Sequence, residues 1–118
     1  MENKKQFDML ASLREIEVSI YRIFDALPRE RTFPEFQKDP KVQKTVQCNI
    51  EIIDGAMDKL LEENPEIPIT DYRKIIYHRK KIFSGGEAAY GCISDDIMWL
   101  IVNRYLPILK EEVKEFLK

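Results

Sequence analysis

Residues 39–60, DPKVQKTVQCNIEIIDGAMDKL, contain the clearest helical pattern of the chain. Asp39 is a good N-cap, and proline is tolerated at the first helical position because its missing N–H would be unpaired there anyway. Apolar residues then recur at steps of three and four, the period of an amphipathic helix. They are Val42, Val46, Ile50, Ile53, Met57 and Leu60. The stretch therefore predicts a long helix with one apolar face, which Asn64-Pro65 ends.

The residues before this stretch predict a first helix from about residue 5 to Leu27, which Pro28 closes. Its apolar residues follow the same helical period: Phe7, Leu10, Leu13, Ile16, Ile20, Ile23, Phe24 and Leu27. The segment 29–39 mixes charges with Phe33 and Phe36. We expect a connecting loop there, held to the core by the two phenylalanines.

The residues after this stretch predict two further helices. Thr70 can cap a third helix over 72–83, and Ser84-Gly85-Gly86 allows the backbone angles that end it. Ser94-Asp95-Asp96 can begin a fourth, with carboxylates at the positive end of the helix dipole. We expect its inward face to hold Ile97, Leu100, Ile101 and Tyr105.

Proline at 107 predicts a break in the fourth helix near Arg104, because proline removes a backbone donor; the helix then resumes over 107–117. No stretch alternates like a strand. The sequence thus predicts an all-α protein, an antiparallel four-helix bundle with its last helix kinked at Pro107.

Length and composition agree with one helical domain over residues 1–118. The chain has 118 residues, 44% of them hydrophobic, and a formal net charge of -2. This charge argues against a protein that coats nucleic acid through bulk charge, so a polyanion site would have to be local. Charged residues interrupt the apolar ones near the N-terminus, which predicts neither a signal peptide nor a membrane span. We expect a cytoplasmic protein with no disulfide, Cys48 and Cys92 being small core or loop residues.

A basic segment, DYRKIIYHRKKIFS (71–84), stands out in this acidic chain. Its cations could contact phosphates, and its aromatic side chains could stack on bases of single-stranded RNA or nucleotides. The same pattern is also typical of a solvated helix face whose tyrosines and phenylalanines belong to the core.

Four pieces of the chain, in order, resemble the HEPN domain and within it the HepT-like toxins. They are FPEFQKDPKVQKTVQCNIEIIDGAMDKL, NPEIP, DYRKIIYHR and YGCISDDIMWLIVNRYLPILKEEV. The resemblance implies a helical bundle that forms a homodimer and a partner antitoxin that is a small nucleotidyltransferase. It also implies a cleft in which both subunits present an Arg-x4-His-x-Tyr motif that cuts RNA without a metal or cofactor.

Matched to that motif, Arg79 takes the arginine position and Tyr90 the tyrosine position, while Ser84 stands where the histidine belongs. The arginine would hold a phosphate and stabilise the charge that develops during cleavage. A serine hydroxyl exchanges protons poorly near pH 7, unlike imidazole. A few extra residues within 85–89 also separate Ser84 from Tyr90. In some family members this tyrosine is the acceptor that the antitoxin modifies with AMP.

Further candidate residues for nucleotide or RNA binding are Arg73, Lys74, His78, Lys80 and Asn49. Asn49 matches the family's second helix, whereas Cys48 replaces an expected arginine. His78 could reach the cleft from the side, or be a partly buried, hydrogen-bonded histidine. A single histidine and two distant cysteines give no metal-ligand set.

We therefore expect a HepT-like component of a toxin–antitoxin module whose ribonuclease activity is weak or lost. A non-catalytic helical module that binds RNA, nucleotide or the nucleotidyltransferase is the alternative, and a purely structural adaptor is a third class. We also expect the homodimer to bury aromatic residues of helices three and four, among them Tyr72, Tyr77 and Trp99.

Overall fold

A computed structural model describes residues 2–27, 31–69, 72–74 and 93–118, with side chains from Phe7 onward in the first range. Within these ranges the backbone forms helices and no strand, which confirms the all-α class. The elements are α1 (Glu2–Ala26), α2 (Phe33–Gln37), α3 (Pro40–Glu63), α4 (Asp95–Leu100), a π-helical turn (Ile101–Tyr105) and α5 (Leu106–Leu117). The predicted third helix falls outside the described residues, except for a short helical turn at 72–74.

Helix α3 begins as the sequence predicts. The Asp39 carboxylate accepts a hydrogen bond from the Val42 N–H at 3.2 Å, which satisfies one of the donors that every helix N-terminus leaves unpaired. Its predicted apolar face is buried from Val46 to Leu60. At the other end the Asn64 N–H donates to the Leu60 carbonyl at 2.7 Å.

The core lies mainly between α1 and α3, and α5 packs against α1. Isoleucines at 16, 20 and 23 and the side chains of Leu106 and Leu109 are fully buried there. Phe7 and Leu10, the first two apolar residues of the predicted helical period, do not belong to this core, because they are 70% and 41% exposed. They continue the helical period, but they lie on the outer side of α1.

The prediction of a loop over 29–39 is wrong in part, because α2 lies within it. The Thr32 hydroxyl accepts a hydrogen bond from the Glu35 N–H at 3.4 Å, and a proline follows within the first turn. Phe36 is buried and Phe33 half-buried, so the expectation that both hold this segment to the core is confirmed.

The predicted helix start at Ser94 is confirmed, with Asp95 and Asp96 in the first turn of α4. The predicted inward face is wrong in part. Ile97 and Leu100 are 41% and 43% exposed, whereas Ile101 is buried as expected. Met98 and Val102 are buried as well.

The predicted break near Arg104 does not occur, because the chain remains helical from Asp95 to Leu117. The backbone instead widens into the π-helical turn, where the Leu106 N–H donates to the Ile101 carbonyl five residues back. Proline lacks an N–H and its ring clashes with the carbonyl four residues earlier. A wider turn directly before Pro107 accommodates both effects without ending the helix.

Candidate functional site

Three of the predicted site residues lie in the described part of the chain: Asn49, Arg73 and Lys74. The other five lie outside the described residues, and their placement stays a prediction: Arg79, Ser84, Tyr90, His78 and Lys80. The described part therefore shows how the chain enters the basic segment.

Tyr72 fixes the entry to the basic segment against α3. Its hydroxyl donates to the Asp54 carboxylate at 2.8 Å, and its side chain is only 1% exposed. Asp54 lies nine residues before the end of α3, or about 14 Å along the helix axis. The turn at 72–74 thus lies beside the last turns of α3 rather than beyond its end. Sequence reasoning missed this pair because Asp54 and Tyr72 are 18 residues apart and no local pattern connects them.

Because Tyr72 is enclosed within the monomer, it offers no stacking face to a base and no surface to a second subunit. The core interpretation is therefore right for this tyrosine. Burial also raises the pKa of the Tyr72 hydroxyl above its ordinary value, because the apolar surroundings disfavour a phenolate.

Arg73 stabilises the loop that follows α3. Its Nη2 atom donates to the carbonyl oxygens of Pro65 at 2.7 Å and Ile67 at 3.0 Å. The Nε atom is buried and has no hydrogen-bond partner within the described residues. A charged donor shared by two carbonyls holds this proline-containing loop in one conformation. Arg73 thus has a structural role, and its predicted phosphate contact stays a prediction.

The helical turn at 72–74 has one inward and one outward side. Tyr72 is buried, Arg73 is half-buried, and Lys74 is exposed. Lys74 is therefore in a position from which an ammonium group can contact a polyanion in solvent.

Asn49 is a buried polar residue on α3, 6% exposed. Its Nδ2 atom donates to the Thr45 carbonyl at 2.8 Å, while its buried Oδ1 atom has no partner among the described residues. A buried acceptor without a donor costs about 1–3 kcal/mol. Asn49 and Asp54 are separated by roughly 140° around the helix axis. Asn49 therefore lies on a different side of α3 from Asp54, the residue that holds Tyr72.

Trp99 packs within the monomer between two aromatic rings. Its ring centroid lies 5.4 Å from that of Phe36 and 5.7 Å from that of Phe33. Tilted rings at these separations gain more than their buried area alone. Of the two roles expected for Trp99, core residue or dimer anchor, the packing supports the first.

The acidic and sulfur-containing side chains give no metal centre within the described ranges. No group of three His, Cys, Asp or Glu residues there could hold a metal ion. Cys48 is a free, exposed cysteine on α3, so the expectation of a core or loop position is wrong for it. It occupies the outer side of the helix, where the apolar stripe does not reach.

The described helices define a class of all-α protein in which two long helices, α1 and α3, form the main packed pair. No helix in the described ranges is both long and apolar enough to cross a membrane. No known family model matches the chain, and no solved structure matches it.

A curated protein of Methanocaldococcus jannaschii, named "Putative RNase MJ0127", is 30% identical over 119 aligned positions. The match covers 94% of this chain and 88% of the relative. The chain therefore belongs to the family of this M. jannaschii protein.

Proposed function

We propose that the chain is a HepT-like HEPN protein, one domain over residues 1–118 that folds as an antiparallel four-helix bundle. Its chemistry is metal-independent RNA cleavage, weak or lost in this chain. The observation that carries the proposal is the family relationship with a protein whose name describes it as an RNase. The ordered set of HepT-like sequence pieces supports the narrower assignment.

In this proposal Arg79 is the residue that contacts the scissile phosphate. A guanidinium can hold two phosphate oxygens at once and stabilise the charge that develops as the ribose 2′-hydroxyl attacks. Tyr90 is a polar partner in the same cleft. Ser84 replaces the imidazole that would exchange protons near pH 7, and this replacement is the physical reason for a weak or absent activity.

The entry contacts at Tyr72 and Arg73 support a positioning role for the turn at 72–74. Both side chains hold the beginning of the basic segment against α3 and its following loop. An error of about one ångström in a catalytic group can cost a hundredfold in rate. Side chains that fix the entry to the segment therefore matter for Arg79 even without touching RNA.

Two described residues could contribute to binding. Lys74 is exposed on the outward side of the turn and would neutralise a phosphate. Asn49 matches the family's second helix, but its Oδ1 atom is buried, so its side chain would have to turn outward to contact RNA or a partner chain.

The proposal also assigns partners. The chain would act in the cytoplasm as a homodimer whose two Arg79 side chains face one cleft, paired with a small nucleotidyltransferase antitoxin. Because Tyr72 is enclosed within the monomer, such a dimer would have to use side chains other than Tyr72.

The second candidate function is a non-catalytic module that binds RNA, nucleotide or the nucleotidyltransferase. Ser84 at the histidine position favours it, because a binding cleft keeps its phosphate-contacting arginine but has no need of a proton donor.

Incubation of the purified protein with single-stranded RNA in EDTA tests these proposals. Arg79→Ala is the test variant, and Arg104→Ala is the matched control because Arg104 is exposed on the π-helical turn. Cleavage that persists in EDTA and falls at least tenfold in Arg79→Ala alone supports the ribonuclease.

Salt-dependent RNA binding without cleavage, weakened by Arg79→Ala but not by Arg104→Ala, supports the binding module. In that case Lys74→Ala should also reduce the salt dependence by about one phosphate contact. A protein that neither cleaves nor binds RNA would refute the ribonuclease and the RNA-binding module.

A further inference from the structure

The outer face of α1 carries a second stripe of residues, opposite the core. Ala11, Arg14, Val18, Tyr21 and Asp25 recur at alternating steps of three and four. This is the spacing of the seam along which two helices pack in a coiled coil. Three of the five residues, Ala11, Val18 and Tyr21, are apolar, although an outer helix face normally carries solvated polar residues.

The centre of this seam is apolar and open. Val18 is 45% exposed and Tyr21 is 47% exposed, although Lys110 lies over one side of the Tyr21 ring at 5.3 Å. Ile52 of α3, 37% exposed, lines the same groove beside Val18. The apolar surface is thus contributed by two packed helices, which gives it a fixed shape.

Charged residues lie on both sides of this apolar centre: Arg14, Glu15, Arg22 and Asp25. All are exposed, and among the described residues none of them makes an ion pair within the monomer. Two cations and two anions give the groove no net charge. A polyanion such as RNA is therefore a poor match for it, and a protein surface with alternating charges is a good one.

The arrangement of these charges is complementary to itself. If a second α1 lies antiparallel with Val18 opposite Tyr21 of the other copy, the same register places Arg14 opposite Asp25 on either side of the two-fold axis. Antiparallel coiled coils also bring together the residues that directly follow the seam positions Arg14 and Tyr21. Those residues are Glu15 and Arg22, again of opposite charge.

We propose that this outer face of α1 is a contact between two copies of the chain, packed antiparallel about a two-fold axis near the Val18–Tyr21 turn. The Val18–Tyr21 layers of the contact are then apolar and the Arg14–Asp25 layers are of opposite charge, each occurring twice about the two-fold axis. The inference does not rest on the ribonuclease proposal. A chain that used both this face and a shared RNA cleft would form an assembly larger than a dimer, which closes as a tetramer if the two two-fold axes are perpendicular and intersect.

Charge reversal tests the register. Arg14→Asp alone and Asp25→Arg alone each create two like-charge pairs in the symmetric contact, whereas the double variant restores two opposite pairs. Arg104→Asp makes the same change of charge outside α1 and serves as the control. Analytical ultracentrifugation between about 1 and 200 µM covers the range expected for a small interface.

We expect each single variant to weaken one association step at least tenfold, and the double variant and the control to return within about threefold of the wild-type protein. Glu15→Arg and Arg22→Glu, separately and together, should repeat the pattern. Far-ultraviolet circular dichroism verifies that each variant is folded, and the double variants keep the test valid if one single variant is not.

A wild-type protein that stays monomeric throughout this range would overturn the proposal. So would association that none of the α1 variants changes, since the copies would then meet through another face, such as the cleft around Arg79. If the α1 variants leave self-association unchanged but weaken binding of a different protein, the groove belongs to that protein. This result would overturn the proposal as well.

Discussion

The hydrogen bond between Tyr72 and Asp54 allows a direct test of how the basic segment is attached to the bundle. Tyr72→Phe removes one oxygen atom and leaves the buried ring in place. The bond is 2.8 Å long and joins a neutral phenol to a carboxylate, while the ring itself is 1% exposed. The variant therefore separates the hydrogen bond from the packing of the side chain.

The expected loss of stability follows from these surroundings. Hydrogen bonds to charged groups contribute about 1.5–3 kcal/mol. Asp54 is half-buried, so water can replace part of the lost bond, and we expect a value near the lower limit, about 1.5–2 kcal/mol. With a urea dependence of about 1.5 kcal/mol per molar, this lowers the unfolding midpoint by about 1 M.

Urea unfolding followed by circular dichroism measures the change, and Tyr21→Phe is the matched control. Tyr21 is 47% exposed and no hydrogen bond of its hydroxyl is found within the described residues, so its variant should change the free energy of unfolding by less than about 0.5 kcal/mol. A double-mutant cycle with Asp54→Ala should give a coupling energy of about 1 kcal/mol or more. A Tyr72→Phe variant as stable as Tyr21→Phe would refute the role assigned to this bond.

Three further predictions concern ionisation and capping. Burial raises the pKa of Tyr72 above its ordinary value of 10.0. The stability that this shift contributes is therefore complete below about pH 10 and is lost as the pH rises above it. The free energy of unfolding should fall there by up to about 1.4 kcal/mol per pH unit. Urea unfolding should find this decrease in the wild-type protein and not in Tyr72→Phe. The side-chain hydrogen bond with Ser94 lowers the pKa of Asp96, so Ser94→Ala should raise it toward the ordinary value in an NMR titration. Thr32→Ala should lower the free energy of unfolding by about 0.5 kcal/mol, because the capping bond to Glu35 is long and exposed.

The long helices could be predicted because their signals are local and repeated. Asp39-Pro40 marks the start of α3, and the spacing from Val46 to Leu60 marks its buried face. Helix α2 has only five residues, too few for a periodic pattern, yet Thr32 and Glu35 form the capping sequence that could have indicated it.

The orientation of apolar residues could be predicted less well, because periodicity identifies a stripe without saying what covers it. Phe7 and Leu10 share the helical period of α1 but lie outside the core, and Ile97 and Leu100 do the same in α4. Which stripe faces inward is decided by helices distant in sequence. The π-helical turn has a local cause in Pro107, but the sequence does not show that the helix continues through it instead of ending.

The candidate site shows the same division between local and distant signals. The sequence identifies Arg73 as a cation in a basic segment, but only the fold shows that it donates to the Pro65 and Ile67 carbonyls. Tyr72 likewise has an aromatic ring that could stack on a base, but the fold buries this ring in the core. The first turn of the basic segment is thus structural, with Lys74 as its outward cation. Any phosphate contact by Arg79 therefore depends on a turn whose Tyr72 and Arg73 side chains bond to α3 and its following loop. Variants of Tyr72 should thus change RNA binding by shifting the basic segment, because they leave its charge unchanged.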